Sequence, residues 1–220
     1  MLKKLTQIIM LVACFGFGVS AQAMLMTYSD RASFEATLDT IITDDYSAAG
    51  YTAGDIVNTP TFDIHSDSNM SSILGETDYT TTGHLNTNLI IRQATDPRYC
   101  AGCNGSFNLG FTTTSVGDAS GVYGVGFDIF QSSGYDAFAT FSDGSTMNFD
   151  LGTGDSFFGL TQDIGITSIH LGLANGGTTT DGYLEMDNLT IGNAVPEPAT
   201  LALFGLGLAG LGFARKKKKS

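Results

Sequence analysis

Tryptophan is absent from the 220 residues, proline occurs four times and cysteine three times. Basic residues are nearly missing from most of the chain. Between Met24 and Val195 only Arg31, Arg92 and Arg98 stand against 21 aspartates and glutamates, a formal charge of −18 for that segment. A body so acidic repels a phosphate backbone, which excludes nucleic acid as a partner. What is present points to a folded chain. With 42% apolar residues and 15 phenylalanines, disorder is excluded, and the length allows one domain of ordinary size with a real core.

Seven of the ten basic residues lie at the ends. At the N-terminus, Lys3 and Lys4 precede an apolar stretch, Ile8 to Val19, and Ala21-Gln22-Ala23 is a small-x-small cleavage site for a signal peptidase. About twelve apolar residues are too few to span a bilayer core of ~30 Å, so residues 1–23 read as a removable signal and the body starts at Met24. Leu11-Val12-Ala13-Cys14 offers a competing cleavage before a lipid-modified cysteine, but Phe15 to Val19 would then form an apolar start where lipoproteins carry a polar tether. At the other end, Val195-Pro196-Glu197-Pro198 leads into sixteen mainly apolar residues, Ala199 to Ala214, followed by Arg215, Lys216, Lys217, Lys218 and Lys219. As a helix this run is roughly 24 Å long, and snorkelling of the basic cluster covers the shortfall against the bilayer. Both basic ends belong on the cytoplasmic side of the inner membrane, which places the acidic body outside.

The run VPEPATLALFGLGLAGLGFARKKKKS resembles the PEP-CTERM sorting signal of Gram-negative bacteria, with Pro-Glu-Pro, a short Gly-rich apolar helix and a basic cluster in order. The resemblance implies recognition by an exosortase, a membrane cysteine protease-transpeptidase, cleavage near Pro196, Glu197 and Pro198, and export in organisms that make exopolysaccharide.

The body, residues 24–194, alternates short apolar runs with Gly, Asp, Asn and Ser. Tyr123, Val125, Phe127 and Ile129 alternate with Gly124, Gly126 and Asp128, the period of a strand. Tyr135 to Phe141 and Met147 to Leu151 flank Asp143-Gly144, which predicts a hairpin with a type I′ turn. Further strands are expected at Phe107 to Phe111, Thr167 to Leu173 and Leu184 to Ile191, and one helix from a Ser29-Asp30 cap through Leu38. Strands so spaced, with almost no helix, predict an all-β antiparallel sandwich. A weaker resemblance, carried by Phe157-Phe158-Gly159, Ile166-Thr167-Ser168-Ile169 and Met186-Asp187-Asn188-Leu189, is to the jelly-roll-like bodies of other PEP-CTERM proteins.

Cys100 and Cys103 stand in Tyr-Cys-Ala-Gly-Cys-Asn-Gly. A thioredoxin-like pair needs a strand–helix setting that the pattern lacks, and a zinc site needs four ligands that His65, His84 and His170 do not supply at matching spacing. In an exported protein the expectation is a small disulfide. Gly154-Asp155-Ser156 resembles the Gly-Asp-Ser block of a hydrolase family, but no Asp-x-x-His follows and no Gly-x-Ser-x-Gly elbow occurs. His170, on a strand whose other face is apolar, is expected to face solvent. Calcium is an expectation for the acidic loops, with Asp63, Asp67 and Asn69, and Asp187 and Asn188, as oxygen donors; the first group lacks the Gly and Glu of an EF-hand. The expected role is binding or structural, without catalysis, in an exopolysaccharide or biofilm layer. The alternative is a carbohydrate-active hydrolase using a carboxylate pair that sequence cannot select.

Overall fold

A computed structural model describes residues 24–47, 77–84, 88–91 and 96–194, and only the backbone at 55–57, 61–62 and 131–133. The expected signal segment, with Ala21 and Ala23, lies outside the described residues. So do the sorting segment, with Pro196, Glu197, Pro198 and Arg215 to Lys219, and the donors Asp63, Asp67 and Asn69.

The strands are β1 (Leu25–Tyr28), β2 (Leu38–Asp44), β3 (Asp55–Val57), β4 (Thr61–Phe62), β5 (Asp78–Thr81), β6 (Asn88–Ile91) and β7 (Arg98–Ala101). They continue with β8 (Phe107–Gly110), β9 (Val122–Ser133), β10 (Asp136–Phe141), β11 (Thr146–Asp150), β12 (Gly154–Gly172) and β13 (Tyr183–Ala194). One short helix, α1 (Arg31–Glu35), follows β1. Every pairing is antiparallel, as the alternation predicts, and the strands join into a single sheet that nearly closes on itself. The order β3-β6-β7-β13-β9-β12-β8-β5-β4 forms its spine, with β2 on β13, and β1 and the β10–β11 hairpin on β12.

The 19-residue β12 makes this wrapping possible. Its first part pairs with β9 and β1, and its last part, Ile166 to Gly172, pairs with β10 and β8. The strand turns between them at Gly165, whose φ of +89° and whose approach to the Ser120 carbonyl leave no room for a side chain. The inward residues of both parts, including Phe158, Leu160, Ile169 and Leu171, enter one buried cluster with Phe127 and Ile129 of β9 and with Phe107, Leu109 and Met186. Burial of that apolar surface holds the sheet closed.

The outer face of β9 and β12 carries glycines for a reason. Phe34 of α1 lies on Gly124, Gly126 and Gly159, and Leu38 on Gly124 and Gly192; a methyl group at Gly126 would stand 2.7 Å from the Phe34 ring. Asp30 caps α1 by accepting the Ser33 amide at 2.8 Å. The helix is shorter than expected, because Leu38 already opens β2. The β10–β11 turn also differs from expectation. Only Gly144 has positive φ, Gly144 N donates to the Phe141 carbonyl and Phe141 N to that of Ser145. That is a type I turn with a glycine bulge, stabilised by Asp143 accepting the Ser145 amide, and the single left-handed position suffices.

Candidate functional site

A cleft of about 560 Å3 opens at the seam of the wrapped sheet. Its walls are the end of β1 (Thr27, Tyr28, Ser29), the end of β11 (Asn148, Phe149, Asp150) and β12 at Ser156 and Phe157. Both β1 and β11 are edge strands among the described residues, each with one partner. Tyr28, Phe149 and Phe157 are half-buried aromatics rooted in the fold. Phe34 packs against Tyr28 and Phe157 at ring distances of 5.8 and 5.7 Å, Arg31 lies 4.8 Å over Phe157, and Phe149 rests on Phe158 at 5.6 Å. Their polar neighbours are also fixed: Asn148 Nδ2 donates to Asp136 Oδ2 at 2.8 Å and Asp150 Oδ1 accepts the Gly152 amide at 2.7 Å. The result is a rigid aromatic surface edged with hydrogen-bonding groups. The alternation predicts a core strand from Met147 to Leu151, but Met147 is exposed and Phe149 lines the cleft, leaving Leu151 in the core. The signal was available in Phe157-Phe158, since adjacent strand residues face opposite ways and one ring must leave the core.

Asp187 and Asn188 come together with residues that the pattern did not connect to them. Asn188 has φ +50° and forms a bulge in β13 between the Asp187–Asp128 and Thr190–Gly126 pairs. It donates through Nδ2 to Asp128 Oδ2 at 2.8 Å and to Asp187 Oδ2 at 3.2 Å. Arg31 ties this cluster to α1, with Nη2 3.0 Å from Asp128 Oδ2 and 2.9 Å from the Asn188 carbonyl. Burial, and the nearby charges of Asp96, Asp128 and Asp45, push the Asp187 carboxyl up to about 6 against the opposing Asn188 amide bond. The guanidinium thus supplies the positive charge beside these oxygens. Among the described residues no group of three or more His, Cys, Asp or Glu is placed to hold a metal.

Cys100 and Cys103 stand at bonding distance, with sulfurs 2.07 Å apart. Gly102 and Cys103 both take positive φ, which turns the chain sharply at the end of β7. Nearby, the buried Glu185 carboxylate accepts Arg98 Nη1 at 2.9 Å and the Tyr183 hydroxyl, while the Arg98 guanidinium lies 3.5 Å over Phe130. His170 departs from expectation. It leaves the core face but is covered rather than solvent-facing, with Nε2 2.8 Å from Thr82 Oγ1 and a buried Nδ1 that has no partner. Burial lowers its pKa, favouring the neutral ring. Thr82 in turn donates to the fully buried Ser106 hydroxyl at 2.9 Å, so this hydroxyl–imidazole chain is spent on internal packing.

The last strand, β13, ends at Ala194, where the sorting segment starts. Residues 194–217 match the family model described as the PEP-CTERM protein-sorting motif. The chain carries a PEP-CTERM sorting motif. Its presence implies export to the cell surface or beyond and processing by an exosortase. No curated protein and no solved structure matches the chain. No helix among the described residues is long and apolar enough to cross a membrane; the run from Ala199 to Ala214 lies outside them.

Proposed function

We propose that this exported, exosortase-processed protein binds uncharged polysaccharide in the extracellular polymer layer, through the cleft between β1 and β11. The observation that carries the reading is the cleft's aromatic surface, Tyr28, Phe149 and Phe157, bordered by Asn148, Asp150 and Ser156. A sugar ring presents apolar C–H faces to aromatic rings and hydroxyls to carboxylate and amide edges, which is the composition of this wall. The −18 body disfavours polyanionic glycans, so a neutral chain is the ligand class. Anchoring of the rings by Phe34, Arg31 and Phe158 reduces the ordering cost of binding.

Affinity electrophoresis tests this directly. The protein is expected to be retarded in gels containing a neutral glucan or galactomannan and to migrate freely through a polyuronate. Phe157→Ala and Tyr28→Ala should each weaken retardation about tenfold, which corresponds to roughly 1.4 kcal/mol. Equal migration of the parent and both variants in every neutral gel refutes the reading.

A hydrolase is the second reading, favoured by one observation: Asp136 and Asp150 are directly opposed across β10 and β11. Opposed strand residues have Cβ atoms about 5 Å apart, which lets their two carboxyl groups reach the separation of a retaining pair. Product release from a neutral polysaccharide, abolished by Asp150→Asn, would favour it over binding alone.

A further inference from the structure

We infer that the rim around the end of β13 is the surface on which the exosortase docks while it holds the sorting motif; this rests on the processing reading of that motif. The path of the chain carries the assignment. β13 is hydrogen-bonded to β2 as far as Ala194, whose partner is Leu38, and Pro196 follows two residues later. At 3.3–3.6 Å per extended residue, Pro196 lies within roughly 7 Å of Ala194, and the apolar run from Ala199 within about 18 Å. An enzyme that grips Pro196-Glu197-Pro198 therefore touches whatever surrounds Ala194. No spacer separates body from motif.

The surroundings of Ala194 form a concave surface. A cavity of about 550 Å3 is bordered there by Asp39, Asp118, Tyr123, Asp163, Asn193 and Ala194, and no basic side chain lines it. Two of the three carboxylates are held in place: Asp118 Oδ1 accepts the Ser120 amide at 2.6 Å and Asp163 Oδ2 accepts the Met24 nitrogen at 2.8 Å. The framework beneath is unyielding, because a methyl group at Gly121 would stand 2.0 Å from the Ile166 carbonyl oxygen. The described arginines cannot neutralise this rim, since Arg31 pairs with Glu35 and Asp128, and Arg98 with Asp96 and Glu185. The Met24 contact also brings the N-terminal end of the body to the same rim, so both segments expected to meet the membrane leave from one side. A partner seated there must present cationic or hydrogen-bond-donating groups to Asp39 and Asp118, since the Met24 nitrogen, an ammonium once residues 1–23 are removed, already faces Asp163. The rim favours the enzyme over lipid, because anionic headgroups would be repelled by these carboxylates.

Pulse-chase processing of the full-length chain in cells carrying the exosortase provides the test. The combined variant Asp39→Asn, Asp118→Asn, Asp163→Asn keeps side-chain size and removes the charge. It is expected to be processed at least fivefold more slowly than the parent. The same substitutions are expected to have no effect when eight Gly and Ser residues are inserted between Ala194 and Val195, which frees the motif from the rim. Processing at the parental rate overturns the docking, as does equal slowing with and without the spacer, which would report a damaged body. Faster processing also overturns it, because the rim would then be lying against anionic lipid. Failure of the sorting reading is seen separately: a chain with Pro196, Glu197 and Pro198 all changed to Ala would still be processed.

Discussion

Asp187 holds a carboxylate where water is largely excluded and three other carboxylates contribute to the field, which raises its pKa from 3.8 to about 6. The sign of the consequence follows from proton binding. Below pH 4 the group is protonated in both states and carries no penalty. As pH rises towards 6 the unfolded chain loses this proton first, so the contribution to stability is lost across that window and stays lost above it. Asp187→Asn keeps an oxygen for the Asn188 amide and cannot ionise. Its melting temperature is expected to match the parent near pH 4, to exceed it increasingly up to pH 6, and to keep a constant margin above that. The margin corresponds to roughly 1–3 kcal/mol, and thermal unfolding across the pH series checks it. The Asp187-Asn188 pair was legible as a polar interruption of a strand. Its environment was not, because Arg31 and Asp128 reach it from distant elements.

At the scale of elements, β9 shows how one strand serves two layers. Val125, Phe127 and Ile129 face the core, while Gly124 and Gly126 leave a trough for α1. In Gly126→Ala the new methyl would stand 2.7 Å from the Phe34 ring and 2.8 Å from the Phe157 ring, so both must move. The cost is expected to be about 1–3 kcal/mol of stability. Displacement of Phe157 should also weaken retardation on a neutral polysaccharide. Chemical denaturation with the gel assay separates this outcome from a merely tolerated methyl, for which neither measurement would change. Alternation alone identified β9, the β10–β11 hairpin and β8. By contrast β5, β6 and β7 have four residues each; burial alternates along β5 and β6 but falls on polar Thr81 and Asn88 as well as on Tyr79 and Ile90, and β7 is buried throughout, so no apolar period shows in their sequence. Tyr46, Tyr79 and Tyr99 illustrate the difficulty. They are fully buried, with the Tyr46 and Tyr79 hydroxyls 2.9 Å apart, and such a satisfied polar core leaves no mark in the sequence.

For the whole molecule, the sorting motif directly follows β13, a strand paired with β2, β7 and β9, and this sets the expected consequence of removing it. Both prolines keep residues before the apolar run from entering a helix, and an extended segment is what a protease site accepts. Changing Pro196-Glu197-Pro198 to three alanines is expected to leave full-length protein in the inner membrane of cells carrying the enzyme, with the body folded as before. Fractionation and intact-mass analysis read this out, and release at the parental rate would make the segment a plain anchor.

Export and the all-β antiparallel class were legible in the sequence itself, whereas the two packed layers expected of a sandwich are instead one sheet that nearly closes on itself. Sorting signals are read as linear strings, so Pro196-Glu197-Pro198, the apolar run and the basic cluster retain their meaning without any fold. Strand alternation is likewise local, because each residue's facing follows from the backbone period. The Tyr28–Phe149–Phe157 cleft and the rim joining Met24, Asp163 and Ala194 depend on contacts between residues more than a hundred positions apart, and closure of the sheet on pairings of β12 with β8, β9 and β10 across tens of positions. Register between distant strands is settled only when all their apolar faces are buried together, and only the tertiary structure could decide it.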